Sequence, residues 1–198
     1  MNERILGAAA RDIDAVVIAG SAGGLEAMLR IFTGLPAGYR LPLIALLHLP
    51  GDAESRLAEV FSARLALPVE EASDKQSITP GTLYVAPGRY HLLVEQDRSF
   101  ALSCEAPVHF SRPSIDVLME SAADAWGKRV AGILLTGAND DGADGLARIG
   151  EAGGLTVVQD PDGAAIPTMP RAAIRRRAPD LVLTLDRIHT LLLELDRR

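Results

Sequence analysis

A run of small and branched apolar residues, Ala15-Val16-Val17-Ile18-Ala19, stops abruptly at Gly20-Ser21-Ala22-Gly23-Gly24. A strand buried on both faces reads as such a near-continuous apolar run, the mark of a parallel sheet covered by helices. Beyond Gly24, Leu25, Met28, Leu29 and Phe32 fall at the three-and-four spacing of one helix face. A strand, a glycine turn and a helix in direct succession call for an α/β architecture. They put Ser21 at the carboxyl end of a strand, beside the crevice where open sheets hold ligands.

Three uses of this turn compete. Glycines and a helix N-terminus suit a phosphate, but the dinucleotide pattern fails at Ala22 and no P-loop lysine follows. The next strand-like run also ends in His48 rather than in the acidic residue a ribose requires. Alternatively, the turn pushes a nucleophilic serine into the open beside backbone N–H groups able to hold an oxyanion. The plainest use is a serine capping an ordinary helix. The stretch by itself favours that last use, so the rest of the chain has to decide.

The same grammar recurs downstream. Leu41 to Leu47 reads as a second apolar strand and runs into His48-Leu49-Pro50-Gly51, with a helix pattern over Ala53 to Leu67. From Val69 to Cys104 short strands and turns predict hairpins that extend the sheet. Ser114 is placed to cap a helix from Ile115 to about Trp126, with Asp116 in its first turn to suit the dipole. Val130 to Leu135 is the third strongly apolar strand, running into Thr136-Gly137-Ala138-Asn139-Asp140-Asp141-Gly142-Ala143 and a helix through Ile149. A strand at Leu155 to Val158, a helix at Pro170 to Arg177, a strand at Leu181 to Leu185 and a last helix capped by Asp186 complete the pattern. Residues 1–12 read as a loose arm and residues 13–198 as one domain. The expected fold class is α/β: a doubly wound, mostly parallel sheet with helices on both faces and a hairpin extension.

Charge and composition remove several functions. The 198 residues carry a formal net charge of −6, which gives no support to nucleic-acid binding. The basic cluster Arg171, Arg175, Arg176 and Arg177 has no interleaved aromatics and reads as a solvated face or a patch for an acidic partner. Cys104 is the one cysteine, so no internal disulfide forms, and its strand-like setting predicts a buried thiol. No Cys/His spacing suggests a metal, and no cofactor is expected. The N-terminus is too polar for a signal peptide, and no apolar run approaches the roughly 20 residues of a membrane span. The expectation is a cytoplasmic protein without membrane insertion.

What stands out is where the polar residues fall. Each of the three clearest strands ends in a glycine- or proline-rich loop, and the loops carry Ser21, His48 and Asp141. Parallel strands align their carboxyl ends, so three distant loops meet at one rim. A serine hydroxyl becomes a useful nucleophile when a base within hydrogen-bond reach takes its proton. An imidazole can do that near neutral pH, and a carboxylate behind it fixes its tautomer and steadies the imidazolium. The Ala22 N–H, at the helix start just after the serine, is the natural first oxyanion donor. Taken singly, His48 could be a loop histidine bonded to backbone, and Asp141 or Asp140 a helix cap. Their joint placement carries the argument. The order Ser…His…Asp, with Ala19 where G-x-S-x-G needs glycine, separates the chain from the α/β-hydrolases.

An ordered series of motifs now becomes legible. It comprises Gly20-Ser21-Ala22-Gly23-Gly24, His48-Leu49-Pro50, Tyr84-Val85-Ala86-Pro87-Gly88 and Arg112-Pro113-Ser114-Ile115-Asp116-Val117-Leu118. Leu134-Leu135-Thr136-Gly137, Asp141-Gly142-Ala143-Asp144-Gly145-Leu146, Gln159-Asp160 and Met169-Pro170-Arg171-Ala172-Ala173-Ile174 follow. From about Asp14 to the last helix the chain resembles the catalytic domain of the chemotaxis protein-glutamate methylesterases. That resemblance implies a methylesterase-like catalytic domain over residues 13–198, which hydrolyses glutamate methyl esters on chemoreceptor or related signalling-protein helices. Methanol would be released, and receptor glutamines could be deamidated. It implies Ser21 as nucleophile, His48 as base, Asp141 rather than Asp140 as the acid, and the Ala22 and Ala138 backbones as oxyanion donors.

The chain departs from the family pattern at Gly137-Ala138-Asn139, where Gly-Met-Gly is usual, and at Phe110-Ser111, where Gly-His is usual. About a hundred residues would form a receiver domain, and a dozen precede the first strand. The expectation is therefore a domain without an attached receiver, constitutively open or governed by a separate regulatory partner. The alternative is a methylesterase fold whose site has degraded, serving as a signalling scaffold or docking module.

Overall fold

Alternation along the first strand decides the architecture. In β1 (Ala15–Gly20) every residue is buried, but Val16 and Ile18 face one hydrophobic cluster while Ala15, Val17 and Ala19 face another. A strand with apolar residues on both faces has to sit mid-sheet with a layer of helices on each side. The structure, a computed structural model, describes residues 3–48 and 56–197. Around β1 it arranges β2 (Leu43–Leu47), β3 (Val69–Glu71), β4 (Leu83–Val85), β7 (Val130–Leu134), β8 (Leu155–Gln159) and β9 (Leu181–Leu183). The seven-stranded order is β3-β4-β2-β1-β7-β8-β9, and every pairing is parallel. The chain moves outward from β1 in one direction and later returns to its other side, so β1 borders the switch point where such sheets open a crevice.

One face is covered by α1 (Glu3–Ala9), α2 (Gly24–Phe32), α3 (Leu57–Ser62) and α7 (Leu185–Asp196), through residues such as Ile5, Met28, Phe32, Phe61 and Leu191. The other carries α4 (Ile115–Trp126), α5 (Ala143–Glu151) and α6 (Thr168–Arg176), with Leu118, Met119, Leu146 and Met169 in its core. Each fully buried Leu, Ile or Phe stabilises the fold by about 1.5–3 kcal/mol. The doubly wound α/β fold expected from the sequence is therefore the observed one.

Several local expectations change. The opening residues do not lie loose: Glu3–Ala9 is a helix whose Ile5, Ala8 and Ala9 are buried in the core cluster shared with α7. The segment from Val69 to Cys104 contains one hairpin, β5 (His91–Val94) with β6 (Phe100–Ser103), and it forms a separate two-stranded sheet. β3 and β4 instead join the main sheet in parallel, because they are linked by a connection long enough to return the chain in the same direction. Cys104 is exposed, since β6 ends one residue before it. The last strand stops at Leu183, Thr184 occupies the cap position of α7, and Asp186 pairs across the surface with Arg30 at 3.0 Å. α6 begins at Thr168, two residues before its expected start. Within the described part of the predicted Ala53–Leu67 helix, only Leu57–Ser62 is helical; residues 49–55, including Leu49-Pro50-Gly51, lie outside the described residues.

Candidate active site

Strand register sets the site. Gly20 of β1 lies opposite Leu47 of β2, so Ser21 and His48 are the first residues past two paired strands. The His48 amide donates to the Gly20 carbonyl at 3.2 Å, and the Ser21 amide donates to Thr136 O, past the end of β7, at 2.9 Å. The ends of all three strands are thus stitched together.

The serine turn is not a serine cap. α2 begins at Gly24, the cap position belongs to Gly23, and Ser21 Oγ makes no hydrogen bond among the described residues. Gly23 has φ 78°, the left-handed conformation that lets the chain turn sharply from strand to helix. A Cβ there would also come within 2.7 Å of Ala165 Cβ. The Ala22 carbonyl accepts from Thr136 Oγ1 at 2.9 Å, which pins the turn from behind. The Ala22 and Ala138 amides have no partner among the described residues.

Asp141 is fully buried, and four donors converge on its carboxylate. Oδ1 accepts from Ser114 Oγ at 2.8 Å and the Asp116 amide at 3.0 Å. Oδ2 accepts from the Ile115 amide at 2.8 Å and from His48 Nε2, also at 2.8 Å. An ionised carboxylate only accepts, so this arrangement puts the imidazole proton on Nε2 and leaves Nδ1 free of one. Burial pushes the Asp141 carboxyl up, but the His48 hydrogen bond and the Asp116 and Ile115 amides outweigh it and hold the group below the usual carboxylate range. Asp140, the neighbouring alternative, has a side chain 68% exposed and lies 3.6 Å from His109 instead.

Sequence reasoning missed what holds Asp141 in place. Ser114 does sit at the cap position of α4, but its hydroxyl donates to Asp141 and the helix N-terminus is capped by that carboxylate from across the structure. Asp116, expected to complement the dipole of its own helix, serves its neighbour. Its Oδ1 accepts the amides of Gly142 and Gly145, at 2.9 and 2.7 Å, and so caps α5. Burial first, then the negative charge of Asp141, raise the Asp116 carboxyl to about 6 against the opposing pull of those amides and of His109. His91, buried in β5, supports the Ser114 backbone by accepting its amide on Nδ1 at 3.2 Å. The signals were in the sequence as Arg-Pro-Ser-Ile-Asp and Asp-Gly-Ala-Asp-Gly, but only the packing of α4 on α5 joins them.

In front of the His48–Asp141 pair lies a cleft of about 780 Å³. Ser21, Ala22, His48, Ser111 and Asn139 supply its polar rim, Leu25, Leu29 and Leu47 its apolar wall, and Glu26 and Arg64 charge at the margin. Ala138 does not line it, whereas Asn139 does. Asn139 Oδ1 is buried without a hydrogen-bond partner among the described residues. Ser21 and His48 share the cleft without a hydrogen bond between them. Away from it, His109, Asp116 and Asp144 bring potential ligand atoms within 4.8 Å of one another. Those groups are already engaged with one another, with the α5 amides and with Arg176.

Comparison with known proteins gives the chain its relatives. A family model described as CheB methylesterase matches residues 16–192. A relative from Leptospira interrogans, named putative protein-glutamate methylesterase/protein-glutamine glutaminase, is 43% identical over 93% of this chain and 95% of its own length. One from Caulobacter vibrioides, named protein-glutamate methylesterase/protein-glutamine glutaminase 2, is 38% identical over 89% of this chain. The match covers 52% of that relative, so the chain spans about half its length. Among solved structures, the Thermotoga maritima CheB methylesterase catalytic domain superposes with a TM-score of 0.87 at 28% identity, covering 92% of this chain and 98% of that one. Fold and likeness together define a carboxylic ester hydrolase of the α/β class. The chain belongs to the CheB methylesterase family. No helix among the described residues is long and apolar enough to cross a membrane.

Proposed function

We propose that this protein hydrolyses glutamate γ-methyl esters on chemoreceptor or related signalling-protein helices, with Ser21 as nucleophile, His48 as base and Asp141 as the acid behind it. The observation that carries the reading is the 2.8 Å bond from His48 Nε2 to the buried Asp141, with His48 and Ser21 lining the same cleft. With Nε2 committed to Asp141, Nδ1 is the ring nitrogen left to take the serine proton. Hydrogen bonds between nucleophile and base are often long in the free enzyme and tighten when substrate arrives. The absence of a Ser21–His48 bond is compatible with the reading.

In the reaction, Ser21 Oγ attacks the ester carbonyl carbon as its proton passes to His48 Nδ1. The carbonyl oxygen becomes an oxyanion, for which the Ala22 and Ala138 amides are the proposed donors. His48 returns the proton to the departing methoxide, so methanol leaves and the glutamyl group stays on Ser21. Water, deprotonated by the same imidazole, then attacks that ester, and His48 returns the proton to the departing Ser21 Oγ as the glutamate carboxyl group is freed. A glutamine amide would follow the same path with ammonia as the first product, which accords with the double name of the relatives. The unit proposed to do this is one catalytic domain over residues 13–198.

The test is methanol release from a methylated chemoreceptor cytoplasmic fragment by wild type and Ser21→Ala. Loss of the serine is expected to lower turnover by roughly a millionfold. Equal rates, or failure of wild type to react with a serine-directed fluorophosphonate, would leave a docking module as the better description.

A further inference from the structure

Phe110 is the most exposed large apolar residue among those described, at 104% of its reference accessibility, against 37–44% for Leu6, Tyr90, Ile166 and Val182. It is not dangling. Val108 and Ser111 exchange two backbone hydrogen bonds, at 3.1 and 2.8 Å, around His109 and Phe110. Both central residues have positive φ, 48° and 60°. Two left-handed residues are what a tight turn of type I′ demands, and Asn-Gly meets that demand with little strain. A histidine and a phenylalanine meet it only with backbone strain. His109 has a use there: Nε2 lies 3.3 Å from Asp116 Oδ2 and Nδ1 lies 3.6 Å from Asp140 Oδ1, which ties the turn to the first turn of α4 and to the loop before α5. Phe110 has none among the described residues.

The position of the turn supplies one. Ser111, the next residue, lines the cleft with Ser21 and His48, so the Phe110 Cα is one residue step, about 3.8 Å, from that of a lining residue. Resting on the proposed function, we infer that Phe110 is a docking anchor for the protein that carries the ester, gripping its surface next to the side chain inserted in the cleft. A free amino-acid ester would be contained in the cleft and would not reach the ring. A second copy of this chain fits less well, because self-association uses a contiguous apolar patch. Here the chain neighbours His109, Ser111 and Arg112 are polar, and Asp140, 3.6 Å from His109, has a side chain 68% exposed. Aromatic side chains are over-represented among the few residues that carry most of the energy of a protein contact.

The experiment compares wild type, Phe110→Ala and Phe110→Tyr on two esters: the methylated chemoreceptor cytoplasmic fragment and N-acetyl-glutamate γ-methyl ester amide. Phe110→Ala is expected to raise KM for the fragment about tenfold with kcat held, to leave kcat/KM for the small ester unchanged, and to be largely rescued by tyrosine. An unchanged KM for the fragment overturns the inference, as does an equal loss on both esters. Sedimentation of the two proteins adds a further arm: a dimer present in wild type and absent in Phe110→Ala would reassign the ring to self-association. A wild type active on the small ester alone rejects the docking role while leaving the hydrolase intact. Inactivity on both removes the proposed function, and this inference with it.

Discussion

Asp116 and Asp141 each cap the helix that the other introduces. Asp141, two residues before α5, receives the first amides of α4, while Asp116, in the first turn of α4, receives the amides of Gly142 and Gly145 at the start of α5. Helix N-termini leave amides unpaired and carry partial positive charge, so each carboxylate sits where an anion is favoured. The exchange locks two helix ends to one another, and His48 is hydrogen-bonded to one member of it. Orientation of the imidazole is therefore a property of helix packing as much as of its own loop.

That relationship makes Asp141→Asn informative. The new side-chain amide would present a donor where Asp141 Oδ2 now receives both the Ile115 amide and His48 Nε2. Donating to Nε2 would move the ring proton to Nδ1, leaving His48 unable to accept from serine. Turnover in the methanol-release assay is expected to fall on the order of ten-thousandfold, as with the wrong tautomer in other serine hydrolases. Stability in urea should drop by about 1–3 kcal/mol, the penalty for an unpaired buried donor.

Asp116→Asn separates charge from hydrogen bonding. The amide oxygen of the replacement can keep both α5 amides, while the charge beside Asp141 disappears. A carboxyl held at about 6 in the folded protein binds its proton more tightly there than in the unfolded chain. Its contribution to stability is fully present below the unfolded value and is lost as pH rises through about 6. Asp141, held low, behaves oppositely: its contribution is present above the ordinary carboxylate range and is lost as pH falls through its folded value. Unfolding free energies between about pH 4 and pH 7 should therefore show the Asp116→Asn variant gaining on wild type as pH rises. A constant difference across that range would assign Asp116 a purely neutral capping role.

The strands were readable because burial on both faces leaves uninterrupted apolar runs, and Ala15–Ala19, Leu43–Leu47 and Val130–Leu134 say so without ambiguity. Parallel pairing then brings His48 beside Ser21, and the contact of His48 with Asp141 was accessible from strand ends alone. What could not be read was interaction across elements. Ser114 looked like a cap for its own helix because local bonding is the common use of such a residue. Only the packing of α4 on α5 redirects its hydroxyl to Asp141, 27 positions away in sequence. Helix α1 was missed for a related reason: with Gly7 inside and few residues, it has weak propensity and exists because Ile5 and Ala8 find the core.

Ser114→Ala probes the positioning of Asp141 without changing charge. The fully buried hydroxyl supplies one of the four donors on that carboxylate, at 2.8 Å. Losing a hydrogen bond to an ionised group should lower stability by about 1.5–3 kcal/mol. Turnover is expected to fall roughly tenfold at unchanged KM, since a loosened carboxylate orients His48 less well and leaves ground-state binding alone. Ser114→Thr, which keeps the hydroxyl, should restore part of the loss, whereas a rise in KM would place the residue in substrate binding.

Two helical glycines should respond oppositely to alanine. At Gly145 of α5 a Cβ would stand 2.7 Å from Met119 Cβ, 2.9 Å from Asp116 Cα and 3.0 Å from Asp116 O. Two of those neighbours are backbone, so α4 and α5 would have to separate. Separation strains the 2.7 Å bond from the Gly145 amide to Asp116 Oδ1 and, through the exchanged caps, the seat of Asp141. Alanine normally favours a helix over glycine by about 1 kcal/mol, but overpacking of this kind costs about 1–3 kcal/mol. Gly145→Ala is expected to lower both the urea midpoint and turnover. At Gly7, inside α1, no atom of the described residues lies within 4 Å of the added Cβ apart from its chain neighbours and the helix's own backbone. Gly7→Ala should therefore raise stability by about 0.5–1 kcal/mol and leave turnover unchanged. If Gly145→Ala also stabilised, the distance between α4 and α5 would not be what fixes the acid behind His48.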